Sequence, residues 1–300
     1  MAEDTYREAE IDGTLVKWDP DQMRKIQEHP CYSEKASHSF GRAHLAVAPK
    51  CNIQCNYCVR KFDCVNESRP GVTSEVLVPE NALEKVKEII DQYPYIKVVG
   101  IAGPGDPLAN EETFETLRLI HENYPQLILC ISTNGLLLPD KIDLLDRYGV
   151  TNITVTMNAL DPEVGAKIYQ YIDYEGKRYY SSREMAELLI DRQLKGIAMA
   201  VEKKMLIKVN TVYIPGINEQ QIPEIAKKIS SMGVYIHNII PIISQGKFSH
   251  INPPSTDEKI AMQEQCRPYV KQMSHCQRCR ADAIGCLGKD VNSCMSRNQK

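Results

Sequence analysis

The sequence predicts an α/β protein, a partial TIM-like barrel of six strand–helix units, (β/α)6, with an extension at each end of the chain. Six apolar stretches of β-forming residues alternate with segments of helical periodicity along the middle of the 300 residues. Strands separated by helices pair in parallel through right-handed crossovers. Six strands are fewer than the eight that close a full barrel, so we expect the barrel to stay open.

The elements follow from periodicity and from helix-start signals. The expected strands cover residues 44–48, 96–101, 127–132, 152–157, 206–213 and 234–241. The first long helix is indicated by apolar residues at helical spacing behind Pro79, a good first-turn residue, namely Leu83, Val86, Ile89, Ile90 and Tyr93. Ser181 with Glu184, and Ser255 with Glu258, have the spacing of capping boxes that open later helices.

Three regions are expected along the chain. Residues 39–265 carry the barrel, residues 1–38 form an N-terminal extension, and residues 266–300 form a cysteine-rich tail. The tail has few large apolar residues, so it should have no core of its own. We expect both extensions to lie over the barrel mouth. The tyrosine-rich stretch 169–182 is interpreted as an amphipathic surface insertion.

The composition excludes several classes of protein. Lys and Arg number 36 against 39 Asp and Glu, and the net charge of −3 argues against a nucleic-acid partner. No apolar run approaches the roughly 18 residues of a membrane helix, and the acidic start lacks the hydrophobic core of a signal peptide. We therefore expect a cytoplasmic protein with no membrane partner.

Eleven cysteines are too many to be incidental. A secreted disulfide scaffold would be shorter and would follow a signal peptide, so these thiols are better interpreted as metal ligands. Cys51, Cys55 and Cys58 follow the first strand in a C-x3-C-x2-C spacing. Three thiolates can hold three irons of a 4Fe–4S cluster and leave the fourth open to the amino and carboxylate groups of S-adenosylmethionine (SAM). Structural zinc is the alternative, but zinc prefers four ligands and paired C-x2-C spacings.

Polar residues at the ends of the later strands favour the SAM interpretation, because barrel enzymes build their sites at the carboxyl ends of strands. Asp106 is a candidate acceptor for the SAM ammonium group, and Lys208 and Asn210 face the same side of one strand. The predicted SAM contacts are Tyr57, Gly103, Gly105, Asp106, Thr133, Asn134, Asn158, Lys208 and Asn210. Together these features predict a radical SAM enzyme, in which an electron from the cluster cleaves the sulfonium bond and releases a 5′-deoxyadenosyl radical.

Several donors remain after the C-x3-C-x2-C motif. We expect six of them to serve two further 4Fe–4S clusters, three donors each, which makes three clusters in all: His29, Cys31, Cys64, Cys130, Cys276 and Cys279. His44 ranks below His29 as a ligand or proton acceptor. The remaining thiols are expected to be spare or packing groups, and these are Cys266, Cys286 and Cys294. The other histidines are expected to be structural.

These motifs together resemble the NifB family, the radical SAM maturases of the nitrogenase iron–molybdenum cofactor, in its short, stand-alone form. The resemblance extends from about residue 29 to residue 288. It rests on His29-Pro30-Cys31, the Cys51/Cys55/Cys58 motif, Glu67-Ser68-Arg69-Pro70, Ala102-Gly103-Pro104-Gly105-Asp106-Pro107, Met157-Asn158-Ala159 and the segment from Cys276 to Gly285.

The resemblance implies a specific reaction. Two 4Fe–4S clusters are fused, with a SAM-derived carbide and an added sulfur, into the eight-iron precursor NifB-co. One SAM gives its methyl group to a cluster sulfide, and a second supplies the radical that abstracts hydrogen from that methyl. Glu67 would accept a proton from the carbon and Arg69 would hold an anionic sulfide, although a salt bridge that joins the first loop to the barrel is an equal alternative. The implied partners are cluster-delivery proteins and a nitrogenase cofactor scaffold or carrier protein.

Two other functions share parts of this pattern. A radical SAM enzyme that modifies a peptide could use auxiliary 4Fe–4S clusters for electron transfer alone. It would not need His29, Cys31 or Cys130 as ligands. A non-enzymatic iron–sulfur carrier would not cleave SAM at all.

Overall fold

The structure is a computed structural model and describes residues 9–11, 14–16, 18–66, 71–73 and 75–291. The strands are β1 (Ala9–Ile11), β2 (Thr14–Val16), β3 (Gly41–His44), β4 (Ile53–Cys55), β5 (Ile96–Ile101), β6 (Ile128–Thr133), β7 (Val150–Thr156), β8 (Tyr169–Tyr174), β9 (Lys177–Tyr180), β10 (Leu206–Tyr213), β11 (Ile236–Pro241), β12 (Lys271–Gln272), β13 (Ile284–Cys286) and β14 (Lys289–Asp290). The helices are α1 (Pro20–Glu28), α2 (Glu34–Ser39), α3 (Pro79–Gln92), α4 (Glu111–Asn123), α5 (Leu138–Arg147), α6 (Pro162–Ile168), α7 (Arg183–Glu202), α8 (Gln221–Ser231) and α9 (Thr256–Cys266). None of these helices combines the length and apolar composition that a membrane span requires.

The central sheet contains six neighbouring parallel strands in the order β3-β5-β6-β7-β10-β11, with helices between successive strands. This arrangement confirms the predicted α/β fold with its partial barrel. The first strand begins earlier than predicted, at Gly41, because β3 pairs with β5 from there. Residues 45–48 continue beside β5 outside the regular ladder, and Leu45 N donates to the Gly100 carbonyl at 2.9 Å.

Side chains of the barrel strands alternate between two environments, as the two-residue period of a strand requires. One face packs into the main hydrophobic core against the helices, and it includes Val99, Leu129, Ile153, Val155, Ile207, Val209 and Ile239. The other face points into the barrel. It carries Val98 and Ile240 but mostly small or polar side chains, including Gly100, Cys130, Ser132, Thr154, Lys208, Asn210 and Asn238. Because most of these inward side chains are small or polar, the barrel interior is not filled by an apolar core.

The C-terminal tail spans the open side of the barrel. β12 adds to β11 in parallel, and β13 adds to β3 in the antiparallel sense, so residues 273–283 cross from one open edge to the other. Within this segment the Arg280 guanidinium donates to the Val72 carbonyl at 2.9 Å, and Arg278 donates to the Pro241 carbonyl at the end of β11. The tail therefore reaches the carboxyl ends of the strands and also covers two sheet edges.

The N-terminal extension lies at the opposite end of the barrel. The Tyr32 hydroxyl donates to the Leu206 carbonyl, and the Gln22 amide donates to the Lys204 carbonyl, each at 2.9 Å and at the start of β10. Tyr32 also stacks on Tyr235, which precedes β11. The structure thus differs from the expectation that both extensions lie over the mouth, because sequence periodicity does not distinguish the two ends of a barrel.

The stretch 169–182 forms a hairpin whose strand β8 pairs with β4, so the predicted surface insertion also braces the cysteine loop. Helix α7 begins after Ser182, whose hydroxyl accepts from Met185 N at 3.1 Å. The capping box expected at Ser181 was wrong, because the Ser181 hydroxyl donates to the Ala166 carbonyl instead. The capping box of α9, formed by Ser255 and Glu258, is confirmed.

A buried ion pair joins the barrel to the tail. Arg42 on β3 and Asp290 on β14 lie 2.5 Å apart, and their side chains are only 1% and 6% exposed. The Arg42 guanidinium also donates to the Gly285 carbonyl at 2.6 Å and to the Cys286 carbonyl at 3.2 Å. β3 therefore holds the β13–β14 hairpin through one buried cation.

Replacing Asp290 with Asn should lower the free energy of unfolding by about 3 kcal/mol, because the Arg42 charge stays buried without its counter-ion. Thermal unfolding of anaerobically purified protein measures the effect. The control is Glu264→Gln, which breaks a pair with Arg267 whose side chains are 57% and 52% exposed; solvent screens such a pair, so its loss should leave the melting temperature nearly unchanged. Equal melting temperatures for the two variants would contradict this account.

Candidate functional site

Two adjoining cavities lie within the barrel. The first, of about 410 Å³, is bounded by the cysteine loop and the carboxyl ends of the strands. The second, of about 680 Å³, extends into the barrel interior and is also lined by the N-terminal extension and the tail. Asn66 and Ser132 line both cavities, so these two residues form a shared wall.

The first cavity collects the C-x3-C-x2-C motif and several predicted SAM contacts. The predicted residues that line it are Cys51, Cys55, Tyr57, Cys58, Gly105, Asp106, Thr133 and Asn134. Burial raises the pKa of the Cys51 thiol to about 12, and it also raises the pKa of Cys58. The Arg60 guanidinium hydrogen-bonds the Cys58 thiol and opposes that shift. Buried thiols of this kind lose their protons when iron binds, and the donor set fits a 4Fe–4S cluster with an open iron.

The cysteine loop is held against the end of β5 by backbone contacts. Gly105 N donates to the Ala48 carbonyl at 2.5 Å, and Asp106 N donates to the Lys50 carbonyl at 2.8 Å. Lys50 N donates to Asn110 Oδ1 at 3.0 Å, and Asn110 Nδ2 donates to the Lys50 carbonyl at 2.9 Å. A Cβ atom on Gly105 would overlap the Lys50 carbonyl, so this close approach requires glycine.

Asp106 joins the ends of β5 and β6. Its carboxylate accepts hydrogen bonds from Leu108 N at 3.0 Å, from Asn134 N at 2.6 Å, and from the Thr133 hydroxyl. Burial raises the pKa of Asp106 to about 6, although these donors oppose the shift. Because protein donors already engage both carboxylate oxygens, its contact with the SAM ammonium group stays a prediction.

Asn158 lies behind the first cavity and contacts Tyr57. Its side-chain amide donates to the Tyr57 hydroxyl at 2.7 Å and to the Tyr169 hydroxyl at 3.1 Å. The Tyr57 hydroxyl in turn donates to Asn66 Oδ1 at 2.8 Å. Asn158 therefore orients Tyr57 and does not line either cavity.

Three other predicted SAM contacts lie elsewhere. Lys208 and Asn210 line the second cavity and do not line the first. Gly103 lines neither cavity, and its φ of 147° together with the nearby Ala281 side chain explains why glycine occurs there. A Cβ on Gly103 would lie 3.3 Å from Cβ of Ala281 in the tail. Lys208 and Asn210 lie on β10, within the predicted fifth strand, but strand position alone does not separate two adjoining cavities of one barrel.

The second cavity collects five of the six predicted auxiliary ligands together with the lower-ranked histidine: His29, Cys31, Cys130, Cys276, Cys279 and His44. Burial raises the pKa of Cys31 to about 11 and lowers the pKa of His44 to about 4, so burial favours the neutral form of both groups. Two basic side chains, Arg42 and Lys208, also line this cavity. Thiols that ionise on iron binding, beside buried cations, suit an anionic iron–sulfur cluster.

His29 lines the second cavity, and only one of its two ring nitrogens has a hydrogen-bond partner among the described residues. Its Nδ1 accepts a hydrogen bond from Cys31 N at 3.1 Å, whereas its buried Nε2 has no partner among the described residues. In this tautomer Nε2 carries the proton, so iron binding through Nε2 requires the proton to leave or move to Nδ1. The His275 ring donates to the Pro30 carbonyl at 3.0 Å, which ties the tail to this segment.

The remaining predicted ligands have different positions. Cys64 lines the first cavity, close to the three motif cysteines, although the sequence grouped it with the auxiliary ligands. Cys266 lies in the main core, and Cys286 contacts Arg42 through its carbonyl. The predicted catalytic pair Glu67 and Arg69, and also Cys294, lie outside the described residues.

Among the residues that the structure describes, no three His, Cys, Asp or Glu side chains converge tightly enough to hold a single metal ion. Each thiolate of a 4Fe–4S cluster binds a different iron, so cluster ligands surround a larger volume than the ligands of one ion do. The cavities with thiols in their walls match that arrangement.

Sequence reasoning missed several residues of the two cavities, among them Ser132, Arg42, Arg60 and Asn66. Ser132 and Arg42 could have been found from strand alternation, because they lie two residues from Cys130 and His44 respectively. Arg60 follows the motif by two residues. Asn66 had no sequence signal, since it lies in an irregular loop.

The comparisons with known proteins agree with this site. The sequence profile of the radical SAM superfamily matches residues 45–229, so the chain belongs to the radical SAM superfamily. Membership implies a 4Fe–4S cluster and SAM as cofactors. The chain is also 14% identical to SuiB of Streptococcus suis with a TM-score of 0.58, over 86% of this chain and 56% of that one, which shows a shared fold.

The motif resemblance to NifB is confirmed. The chain is 50% identical over 273 residues to the FeMo cofactor biosynthesis protein NifB of Klebsiella pneumoniae, covering 89% of this chain and 58% of that protein. It is 48% identical over 278 residues to the protein of the same name from Herbaspirillum seropedicae, covering 90% and 53%. The chain therefore spans little more than half the length of these relatives.

Replacing Gly105 with Ala should cost the protein about four irons per chain, the content of one 4Fe–4S cluster, because the new Cβ displaces the cysteine loop. Iron analysis after anaerobic reconstitution measures this. The control is Gly176→Ala in the β8–β9 turn, where φ is 74° and no atom of the described residues lies within 4 Å of an added Cβ. That variant should keep its iron. Full iron content in the Gly105 variant would contradict the close-approach argument.

Proposed function

We propose that the chain acts in nitrogenase cofactor biosynthesis and builds the eight-iron precursor NifB-co from two 4Fe–4S clusters, a SAM-derived carbide and an added sulfur. The observation that supports this most directly is the pair of adjoining cavities, one lined by the C-x3-C-x2-C motif and the other by further thiols and imidazoles. A cluster reaction that takes carbon from SAM needs such adjoining sites.

The first cavity is proposed to bind the resident 4Fe–4S cluster and SAM. That cluster, when bound, supplies the electron that cleaves the sulfonium bond. Cys51, Cys55 and Cys58 would hold three of its irons, while Arg60 would balance thiolate charge. Tyr57 is the proposed adenine contact, and its hydroxyl is held by hydrogen bonds with Asn66 and Asn158.

The second cavity is proposed to bind the two substrate clusters. All three regions proposed for the chain contribute donors: residues 1–38 provide His29 and Cys31, residues 39–265 provide Cys130, and residues 266–300 provide Cys276 and Cys279. Cys64 is the sixth proposed ligand, and it would reach the clusters from the first cavity, which it lines two residues before Asn66 of the shared wall. The Arg42 and Lys208 side chains would offset the negative charge of the clusters and their thiolates.

The carbon chemistry requires a proton acceptor and a sealed site. By resemblance to NifB, Glu67 would accept a proton from the transferred carbon and Arg69 would hold a cluster sulfide. The tail segment 273–283 covers the open side of the barrel, which would keep the radical from other C–H bonds. The proposed partners are cluster-delivery proteins and a cofactor scaffold or carrier protein. We expect this chemistry in the cytoplasm, where reducing conditions keep the thiols free.

Reduced protein incubated with SAM and no peptide should form both S-adenosylhomocysteine, from methyl transfer, and 5′-deoxyadenosine, from radical formation. Cys55→Ala should abolish both products, since one cluster serves both steps, whereas Cys266→Ala in the main core should retain them. Chromatography of the products measures the outcome. 5′-Deoxyadenosine alone would indicate a peptide-modifying enzyme, and neither product would indicate a carrier.

Anaerobically reconstituted protein should hold about twelve irons per chain, which corresponds to three 4Fe–4S clusters. Replacing His29 with Ala should remove up to about four irons while SAM cleavage continues, because His29 lines only the second cavity. His38→Ala, on helix α2, is the matched control. Iron content that is the same in both variants would give His29 a structural role.

A further inference from the structure

Ser132 has an unsatisfied hydroxyl at the junction of the two cavities. The residue is 8% exposed, and its Oγ has no hydrogen-bond partner among the described residues. Its neighbour Thr133 differs, because that hydroxyl donates to the Asp106 carboxylate. Buried hydroxyls in native proteins nearly always have a partner. A ligand bound at the junction would supply the missing one.

The position of Ser132 indicates which ligand that is. Ser132 follows Cys130 by two residues on β6, so both side chains point into the barrel, and Ser132 lies about 6.6 Å further toward the carboxyl end of the strand. Cys130 lines the second cavity alone, whereas Ser132 lines both. A cluster bound through Cys130 therefore has Ser132 beside the edge that faces the first cavity.

The charges of the second cavity favour a sulfide as the acceptor. Four thiols line this cavity together with the basic side chains of Arg42 and Lys208, and such a lining suits an anionic ligand. The sulfides of an iron–sulfur cluster accept hydrogen bonds, and such bonds help to set its reduction potential. The Ser132 hydroxyl has one proton to donate.

We propose that Ser132 is a substrate-positioning residue: its hydroxyl donates a hydrogen bond to a sulfide of the cluster in the second cavity and fixes that cluster toward the SAM methyl group in the first. This role rests on the proposed function. The hydrogen bond orients the cluster. The methyl group then moves from the SAM sulfur to a lone pair of a cluster sulfide. The electrons of the broken C–S bond stay on the SAM sulfur, which leaves as S-adenosylhomocysteine.

Three substitutions at Ser132 separate the hydroxyl from side-chain size. Ser132→Ala removes the hydroxyl, Ser132→Thr keeps it and adds a methyl group, and Ser132→Val adds similar bulk without a hydroxyl. The matched control is Thr113→Ala on helix α4. Thr113 is also buried, its hydroxyl has no partner within the described part of the chain, and it lines neither cavity. All variants are used as full-length, cluster-loaded protein.

The first measurement is the reduction potential of each cluster, followed by electron paramagnetic resonance. The Ala and Val variants should shift a second-cavity cluster to a more negative potential, because a hydrogen bond to sulfide is lost. The clusters of Ser132→Thr and Thr113→Ala should keep the parental potentials. The SAM-binding cluster should keep its potential in every variant. An unshifted potential in the Ala variant, or equal shifts in Thr and Val, would overturn the proposal.

The second measurement is product formation from SAM. The Ala variant should form S-adenosylhomocysteine about tenfold more slowly, as expected for a lost hydrogen bond to a charged acceptor. Its 5′-deoxyadenosine should fall with it, because the radical abstracts hydrogen from the transferred methyl group. An unchanged methyl-transfer rate would overturn the positioning role. If the parent itself forms no S-adenosylhomocysteine, the proposed function fails, while the potentials still decide whether Ser132 bonds the cluster.

Discussion

The inward faces of the barrel strands determine what the rest of the molecule can do. A strand exposes alternate residues to opposite sides, and here one side carries aliphatic residues while the other carries Gly100, Cys130, Ser132 and similar groups. A barrel interior normally fills with large branched side chains. In this chain the interior instead encloses a cavity lined by thiols, imidazoles and cations, and the two extensions complete its walls.

Electrostatic balance explains the composition of those walls. Burial raises the pKa of thiols such as Cys31 and Cys51, so a thiolate there needs iron or a cation to stabilise it. Each cavity has basic side chains for this purpose, with Arg60 in the first and Arg42 and Lys208 in the second. Arg42 also holds the tail through Asp290, so the same side chain links the charge of the cavity to its closure.

The open side of the barrel accounts for the separation of the ligands along the chain. Between β11 and β3 the sheet has two free edges, and the tail pairs with both through β12 and β13. That path carries Cys276 and Cys279 into the second cavity. The N-terminal extension reaches the same cavity from the opposite end, where Tyr32 packs on Tyr235. A closed eight-stranded barrel has no free sheet edges, so the tail could not pair with it in this way.

The sequence by itself determined the local features: the six alternating strands, most of their limits, and the thiol spacing at residues 51–58. These depend on periodicity and on motifs of adjacent residues, which are visible in one dimension. Only the tertiary structure decided which distant donors share a cavity. It moved Cys64 to the first cavity and Lys208 to the second, and it placed the N-terminal extension at the amino ends of the strands. It also left the Ser132 hydroxyl, between the cavities, without a partner among residues 9–291 as far as these are described. Such groupings depend on distances between chain segments, and side-chain periodicity carries no information about those distances.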